Sequence, residues 1–139
     1  MKKFLLLIIF ASLLVDAQVV SPQASPFSTL NQVVGLTDIK IEYSRPSMKG
    51  REIMGNLVPY GELWRTGANA NTKISFSDPV GISGVTIPAG TYALYTRPGK
   101  TMWEVFFYKK SDNWALPKVW DINQISVVSE SPSTKINET

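Results

Sequence analysis

The sequence of 139 residues contains no cysteine and no histidine. Without cysteine no disulfide can form, so a hydrophobic core has to stabilise the fold. Zinc, iron and copper sites favour thiolate and imidazole ligands, and Ser-His-Asp or Cys-His catalysis needs the same side chains. We therefore predict no metal site and no cofactor, although oxygen ligands alone could still hold calcium. Carboxylate, lysine, arginine, tyrosine, serine and threonine groups remain for any chemistry.

Long apolar runs are scarce, and the one that is present opens the chain. It covers Phe4 to Val15 with one serine interruption, follows two lysines, and precedes the small residue Ala17. This order is typical of a secretory signal peptide, so we predict that residues 1–17 are removed and the protein is exported, to the periplasm or out of the cell. A membrane anchor is the weaker alternative, because a spanning helix needs about 20 apolar residues and Asp16 ends the run earlier. No second run of this length follows, which predicts no membrane span in the mature chain.

An excess of charge of one sign is also absent. The chain has 14 basic and 11 acidic residues, for a net charge of +3. Proteins that bind nucleic acid carry a marked basic excess or a basic patch. The near balance therefore predicts no nucleic-acid partner.

Long helical periods are missing, and short stretches of alternating apolar and polar residues take their place. Glycine and proline turn signals separate these stretches, a pattern typical of an all-β fold. We predict a single domain over residues 33–128, an antiparallel β-sandwich or jelly-roll-like fold, after a flexible leader over 18–32 and before a polar tail over 129–139. The predicted strands are Thr37–Ser44, Thr72–Ser77, Gly90–Arg97, Met102–Lys109 and, more weakly, Ile122–Val128.

One long connection, residues 46–71, interrupts this alternation. It is rich in glycine but also carries apolar side chains, which predicts an ordered crossover loop rather than a disordered one. Arginine forks bind carboxylate or phosphate, asparagine donates and accepts hydrogen bonds, and tryptophan can stack on a ring. The candidate ligand-binding residues in or beside this connection are Arg45, Arg51, Trp64, Arg65, Thr66 and Asn69. The structural alternative is that these side chains supply donors to loop carbonyls outside any sheet.

We favour a non-catalytic binding module for a small polar or anionic ligand, or a glycan, in the cell envelope. Two alternatives remain open. In one, Glu62 acts as the acid-base group of a hydrolase or lyase while the arginines bind an anion. In the other, the domain is a structural or assembly part of the envelope.

Aromatic residues concentrate in the predicted hairpin between Gly90 and Lys109. They suit either a sugar platform or an ordinary core, and we favour the core because aromatic side chains dominate buried area. Trp114 and Trp120 lie outside the regular alternation, which makes them the better candidates for an exposed sugar platform.

Several motifs resemble a family of exported bacterial proteins catalogued as domain of unknown function 2911. The matching stretches are Ser44-Arg45-Pro46, Lys49-Gly50-Arg51, Leu57-Val58-Pro59-Tyr60-Gly61, Trp64-Arg65-Thr66-Gly67-Ala68-Asn69, Ile87-Pro88-Ala89-Gly90-Thr91-Tyr92-Ala93-Leu94 and Asn113-Trp114. The resemblance implies an exported, β-rich domain and no assigned activity. Members of the family continue with further strands beyond the position of Val128, so the resemblance implies that C-terminal strands are missing or diverged in this chain.

Overall fold

The computed structural model describes residues 21–134. These residues form antiparallel β-structure, which confirms the predicted all-β, sandwich-like class; the predicted signal peptide lies outside the described residues. The strands are β1 (Phe27–Val34), β2 (Thr37–Ser44), β3 (Thr72–Phe76), β4 (Val80–Ile82), β5 (Val85–Ile87), β6 (Gly90–Pro98), β7 (Met102–Tyr108) and β8 (Ile125–Pro132). A 3₁₀ turn, Ile122–Gln124, precedes β8 and is capped by the side chain of Asp121.

Six of the strands form one sheet in the order β1-β2-β3-β6-β7-β8, and β4 and β5 form a separate hairpin. The long connection joins β2 to β3, which are neighbours in the sheet, so it leaves the sheet and returns beside its own starting strand. Among residues 21–134, no helix has the length and apolar character needed to cross a membrane.

One face of the sheet is covered by the β4–β5 hairpin. Ile74 of β3 is paired with Ile41 of β2 and Tyr92 of β6, so apolar side chains line up across three strands. Ile87 of the hairpin packs on this row and is only 1% exposed. Alternation along β2 and β3 therefore gives the half-buried strands that the sequence predicts.

The other face is covered by irregular segments. Tyr95, Phe106 and Tyr108 are buried there, next to Leu63 from the long connection and Trp120 from the segment before β8. β6 and β7 are consequently apolar on both faces, which confirms that the aromatic residues of this hairpin form core.

Trp120 belongs to this second core cluster. Its ring stacks on Tyr108 with centroids 4.7 Å apart, and it meets the rings of Tyr95 and Phe106 edge-on at 5.4 and 5.6 Å. The interpretation of Trp120 as an exposed platform is therefore wrong. Trp114, by contrast, is 73% exposed.

Ordered structure begins earlier and ends later than the predicted boundaries. β1 occupies Phe27–Val34, inside the segment predicted as a flexible leader, because all eight of its residues are in register with β2. β8 runs to Pro132, inside the predicted polar tail, because its second half pairs with the first half of β7. The wider pairing extends the sheet at both edges.

The turn between β6 and β7 also differs in one detail. Pro98-Gly99 predicts a turn in which glycine supplies a positive φ, but Gly99 is not among the residues with positive φ. Glycine is needed there for a close approach instead, since a Cβ on Gly99 would collide with the carbonyl oxygen of Met102.

Candidate functional site

A cavity of about 700 Å³ is lined mainly by residues of the long connection. This volume falls within the usual range of small-molecule sites. Its polar side chains include Arg51, Arg65 and Asn69, and no acidic residue lines it. The apolar part of its wall comes from Met48, Ile53, Leu57, Val58 and Trp64. We refer to it as the arginine cavity.

The backbone around this cavity is unusual because many of its residues adopt left-handed conformations. Thr66 has a φ of 58°, which is an outlier for a β-branched residue. Strained conformations of this kind concentrate at functional sites. The residues of the connection with positive φ are Lys49, Gly50, Gly55, Gly61, Thr66, Gly67 and Asn69.

The connection is held against the sheet by its own backbone. Trp64 exchanges two hydrogen bonds with Thr96 of β6, of 2.7 and 2.9 Å, and Gly61 N–H donates to the carbonyl of Pro98 at 2.8 Å. The Trp64 ring also meets the ring of Trp103 edge-on, with centroids 6.4 Å apart. Residues on either side of Trp64 therefore have fixed positions, which is what a preformed site requires.

Arg65 follows Trp64 and is half-buried in the cavity wall. Its Nε atom is buried and has no hydrogen-bond partner among the described residues. The ion pairs within residues 21–134 are Lys40–Glu42 and Arg97–Glu104. No carboxylate of these residues therefore lies within 4.0 Å of the Arg65 guanidinium. A buried charged donor without an acceptor is costly, so this group favours the entry of an anion or of water.

Arg51 is already bound to the protein. Its Nε donates to the carbonyl of Met48 at 3.0 Å, and one terminal nitrogen donates to the carbonyl of Ser47 at 2.8 Å. These contacts match the structural alternative, in which arginine supplies donors to loop carbonyls. Through these hydrogen bonds Arg51 braces the loop. Its guanidinium also adds positive charge to the cavity and has N–H groups beyond the two that make these contacts.

Asn69 is another of the predicted site residues that line the cavity. Its Nδ2 donates to the carbonyl of Ser25 at 3.3 Å and to the hydroxyl of Ser44 at 3.4 Å. The contact with Ser25 brings the segment before β1 into the cavity wall. Sequence reasoning missed this contribution, because the segment is far from the connection along the chain and carries no pattern of its own.

Two of the predicted site residues lie outside the cavity wall. Arg45 is exposed and does not line it. The Thr66 hydroxyl is hydrogen-bonded to the Thr96 hydroxyl at 3.0 Å, and the Thr66 carbonyl accepts from the hydroxyl of Thr72. These contacts make Thr66 a link between the connection and the sheet. Arg51, Trp64, Arg65 and Asn69 are thus the predicted residues that the fold brings together.

The described residues give no support to acid-base chemistry at Glu62. This side chain is exposed and does not line the arginine cavity. In the same residues, no group of three or more acidic side chains is placed to hold a metal ion.

A smaller cavity of about 350 Å³ adjoins the arginine cavity and shares Ser25, Pro46, Ser47 and Arg51 with it. Lys49 lines this second space. The basic residues of this region therefore include Lys49 as well as the two arginines.

The model of a family described as "Protein of unknown function (DUF2911)" matches residues 25–139. Neither the curated proteins nor the solved structures contain a significant match to this chain.

Proposed function

We propose that this chain, which belongs to the DUF2911 family, is a non-catalytic binding module that takes a small anionic ligand in the arginine cavity. The observation that carries the proposal is the buried Nε of Arg65, a charged donor with no acceptor among the described residues. A carboxylate or phosphate oxygen would accept from it and from the terminal nitrogens of the same fork.

The apolar residues of the cavity wall restrict the class of ligand that would fit. Trp64, Ile53 and Val58 are apolar residues that line the same cavity as Arg65. A ligand that fills the cavity would therefore join an anionic group to an apolar or aromatic body. The signal peptide predicted for residues 1–17 supports a role in the cell envelope, in the periplasm or outside the cell.

The test uses benzoate and phenyl phosphate as probes, with benzamide as the uncharged analogue of benzoate. A ligand that binds only the folded state raises the melting temperature, and at 100 times its Kd it stabilises by about 2.7 kcal/mol. We expect at least one of the anions to raise the Tm and benzamide to leave it unchanged.

Variants locate the binding. A hydrogen bond to a charged group contributes about 1.5–3 kcal/mol, so Arg65→Ala should weaken binding of the anion about 10- to 150-fold. Arg65→Lys should recover only part of the loss, because it keeps the charge without the planar fork. Arg45→Ala is the matched control, since Arg45 is exposed and outside the cavity wall.

Two results would contradict the proposal. One is that neither anion raises the Tm of the unaltered protein. The other is that a folded Arg65→Ala variant binds the anion as tightly as Arg45→Ala does. The second result would favour the structural alternative, in which the arginines only brace the loop.

A further inference from the structure

A second cleft lies in the connection between β7 and β8, with a volume of about 630 Å³. Its lining residues are Tyr108, Lys110, Asp112, Asn113, Trp114, Leu116, Pro117, Lys118, Val119, Asp121 and Gln124. None of its lining residues lines the arginine cavity. It is therefore a separate candidate site, which we refer to as the Trp114 cleft.

Trp114 is the most distinctive residue of this cleft. Its side chain is 73% exposed, although Trp120 in the same connection is packed into the core. Its backbone is held in place by a bridge to Ala70, at the end of the long connection. Ala115, the next residue, has a φ of 65°, a conformation that costs energy for a residue with a side chain. The backbone thus holds a large aromatic ring at the surface.

The polar groups of the cleft are balanced in charge. Two lysines, Lys110 and Lys118, and two aspartates, Asp112 and Asp121, line it, and no arginine does. Within residues 21–134, neither lysine has a carboxylate within 4.0 Å. A cleft with both signs and no net charge does not select an anion, which distinguishes it from the arginine cavity.

The remaining polar groups both donate and accept. Asn113 Nδ2 makes only long contacts of 3.4 Å, to the hydroxyl of Tyr95 and the carbonyl of Lys110. Oδ1 of Asp121 accepts from the backbone and side chain of Asn123 at 2.9 and 3.0 Å. Asp112 and Gln124 add a carboxylate and an amide. Mixed donors and acceptors suit hydroxyl groups, each of which donates one hydrogen bond and accepts others.

We propose that the Trp114 cleft binds a neutral carbohydrate, with one sugar ring stacked on the indole of Trp114. The face of an indole is electron-rich and attracts the polarised C–H groups on one face of a pyranose. The hydroxyl groups at the edge of the ring would meet the amides and carboxylates of the wall. The proposal does not depend on the anion site, because the two sites share no lining residue.

The experiment measures binding of cellotriose and N,N′,N″-triacetylchitotriose, two neutral sugars, by titration calorimetry and by tryptophan fluorescence. We expect saturable binding of at least one sugar, with a change in emission, and an affinity that is unchanged between about 0.05 and 0.5 M salt, because no net charge is involved. Trp114→Ala should reduce the affinity about tenfold or more, and Trp114→Phe should retain part of it.

Two controls separate this site from other effects. Phe27→Ala removes another exposed aromatic side chain, which lies on β1 and is 61% exposed, and it should leave sugar binding unchanged. Arg65→Ala should also leave it unchanged, whereas Trp114→Ala should leave the binding of benzoate and phenyl phosphate unchanged. Because Trp114 is exposed, we expect its replacement to leave the Tm unchanged, so that any loss of binding is not a loss of folding.

The proposal would be overturned if neither sugar binds the unaltered protein, or if Trp114→Ala binds as tightly as Phe27→Ala. Binding of triglycine in place of both sugars would also overturn it, because a zwitterionic peptide would then be the better match to the mixed charges. A failure of these sugar experiments leaves the anion results unaffected, and the reverse also holds.

Discussion

The close contact at Gly67 gives a quantitative test of how the arginine cavity is built. Gly67 lies between Arg65 and Asn69 and has a φ of 145°. A Cβ there would lie 3.2 Å from the carbonyl oxygen of Ser44 and 3.3 Å from the hydroxyl of Thr72. These atoms belong to the end of β2 and the start of β3, so Gly67 sits where the connection returns to the sheet.

Gly67→Ala should destabilise the fold through two effects. A backbone conformation that side chains rarely adopt costs about 1–3 kcal/mol, and a crowded methyl group adds about 1–3 kcal/mol. The lower entropy of the unfolded alanine chain offsets about 0.4–1 kcal/mol. We therefore expect a net loss of about 3 kcal/mol in the free energy of unfolding.

Gly61→Ala is the matched control. Gly61 has a φ of 80°, but no atom lies within 4 Å of the position its Cβ would take. The backbone cost of about 1–2 kcal/mol then remains without crowding, and after the entropic offset the expected loss is about 1 kcal/mol. Most of the expected difference of about 2 kcal/mol between the variants comes from the crowded methyl group.

Urea denaturation with linear extrapolation measures both losses, and an unchanged slope would show that only stability has changed. Gly67→Ala should also weaken binding of the anionic probe, since any backbone shift displaces its neighbours in the cavity wall, whereas Gly61→Ala should not. Equal losses of stability in the two variants would refute the reasoning, because they would show that the contact with the sheet does not constrain the connection.

Two further predictions concern ionisation and export. Burial raises the pKa of Tyr95, while a hydrogen bond from Asn113 acts in the opposite direction. The folded state therefore keeps its proton more tightly than the unfolded chain, and stability that is complete below about pH 10 is lost as the pH rises further. Urea titrations should show a shallower alkaline decline in Tyr95→Phe; an identical decline would contradict this. Export predicts a mature chain that begins after Ala17, which the intact mass of the secreted protein checks, and retention of residues 1–17 would contradict it.

Alternation of apolar residues was sufficient to predict the central strands, because these strands are buried against covering layers. β1 was missed because its side chains are mostly exposed and its sequence does not alternate. Its order comes from the hairpin to β2, in which Val34 pairs with Thr37 around Gly35, whose φ is 63°. A glycine at the first position of a two-residue loop is a recognised signal of a β-hairpin. In this chain Gly35 occupies that position and is flanked by apolar residues.

The start of β8 was predicted three residues too early for a related reason. Asp121 accepts a hydrogen bond from the backbone of Asn123 at 2.9 Å and holds Ile122–Gln124 in a 3₁₀ turn. Aspartate is a strong capping residue, so the turn competes with the strand at this point. The apolar residue Ile122 belongs to the turn and is 72% exposed.

The candidate site was only partly predictable, because residue type does not reveal which side of an irregular segment faces inwards. Arg65 and Arg45 are equivalent in type, yet Arg65 lies next to a residue bridged to β6 and Arg45 directly follows the end of β2. The bridge turns Arg65 into the cavity wall, whereas Arg45 is exposed. The contacts with β6 join residues that are far apart in the sequence, so no pattern within the connection predicts them.

The two candidate sites depend on the same central strand. β6 bonds to the long connection through Thr96 and Pro98, and the hydroxyl of its Tyr95 accepts from Asn113 beside the Trp114 cleft. The β4–β5 hairpin packs on the sheet but lines neither cavity. The binding groups of both candidate sites therefore belong mainly to irregular segments, as is usual where loops are positioned by a rigid scaffold. Substitutions in the hairpin should then act through stability alone, whereas those on β6 act on both sites.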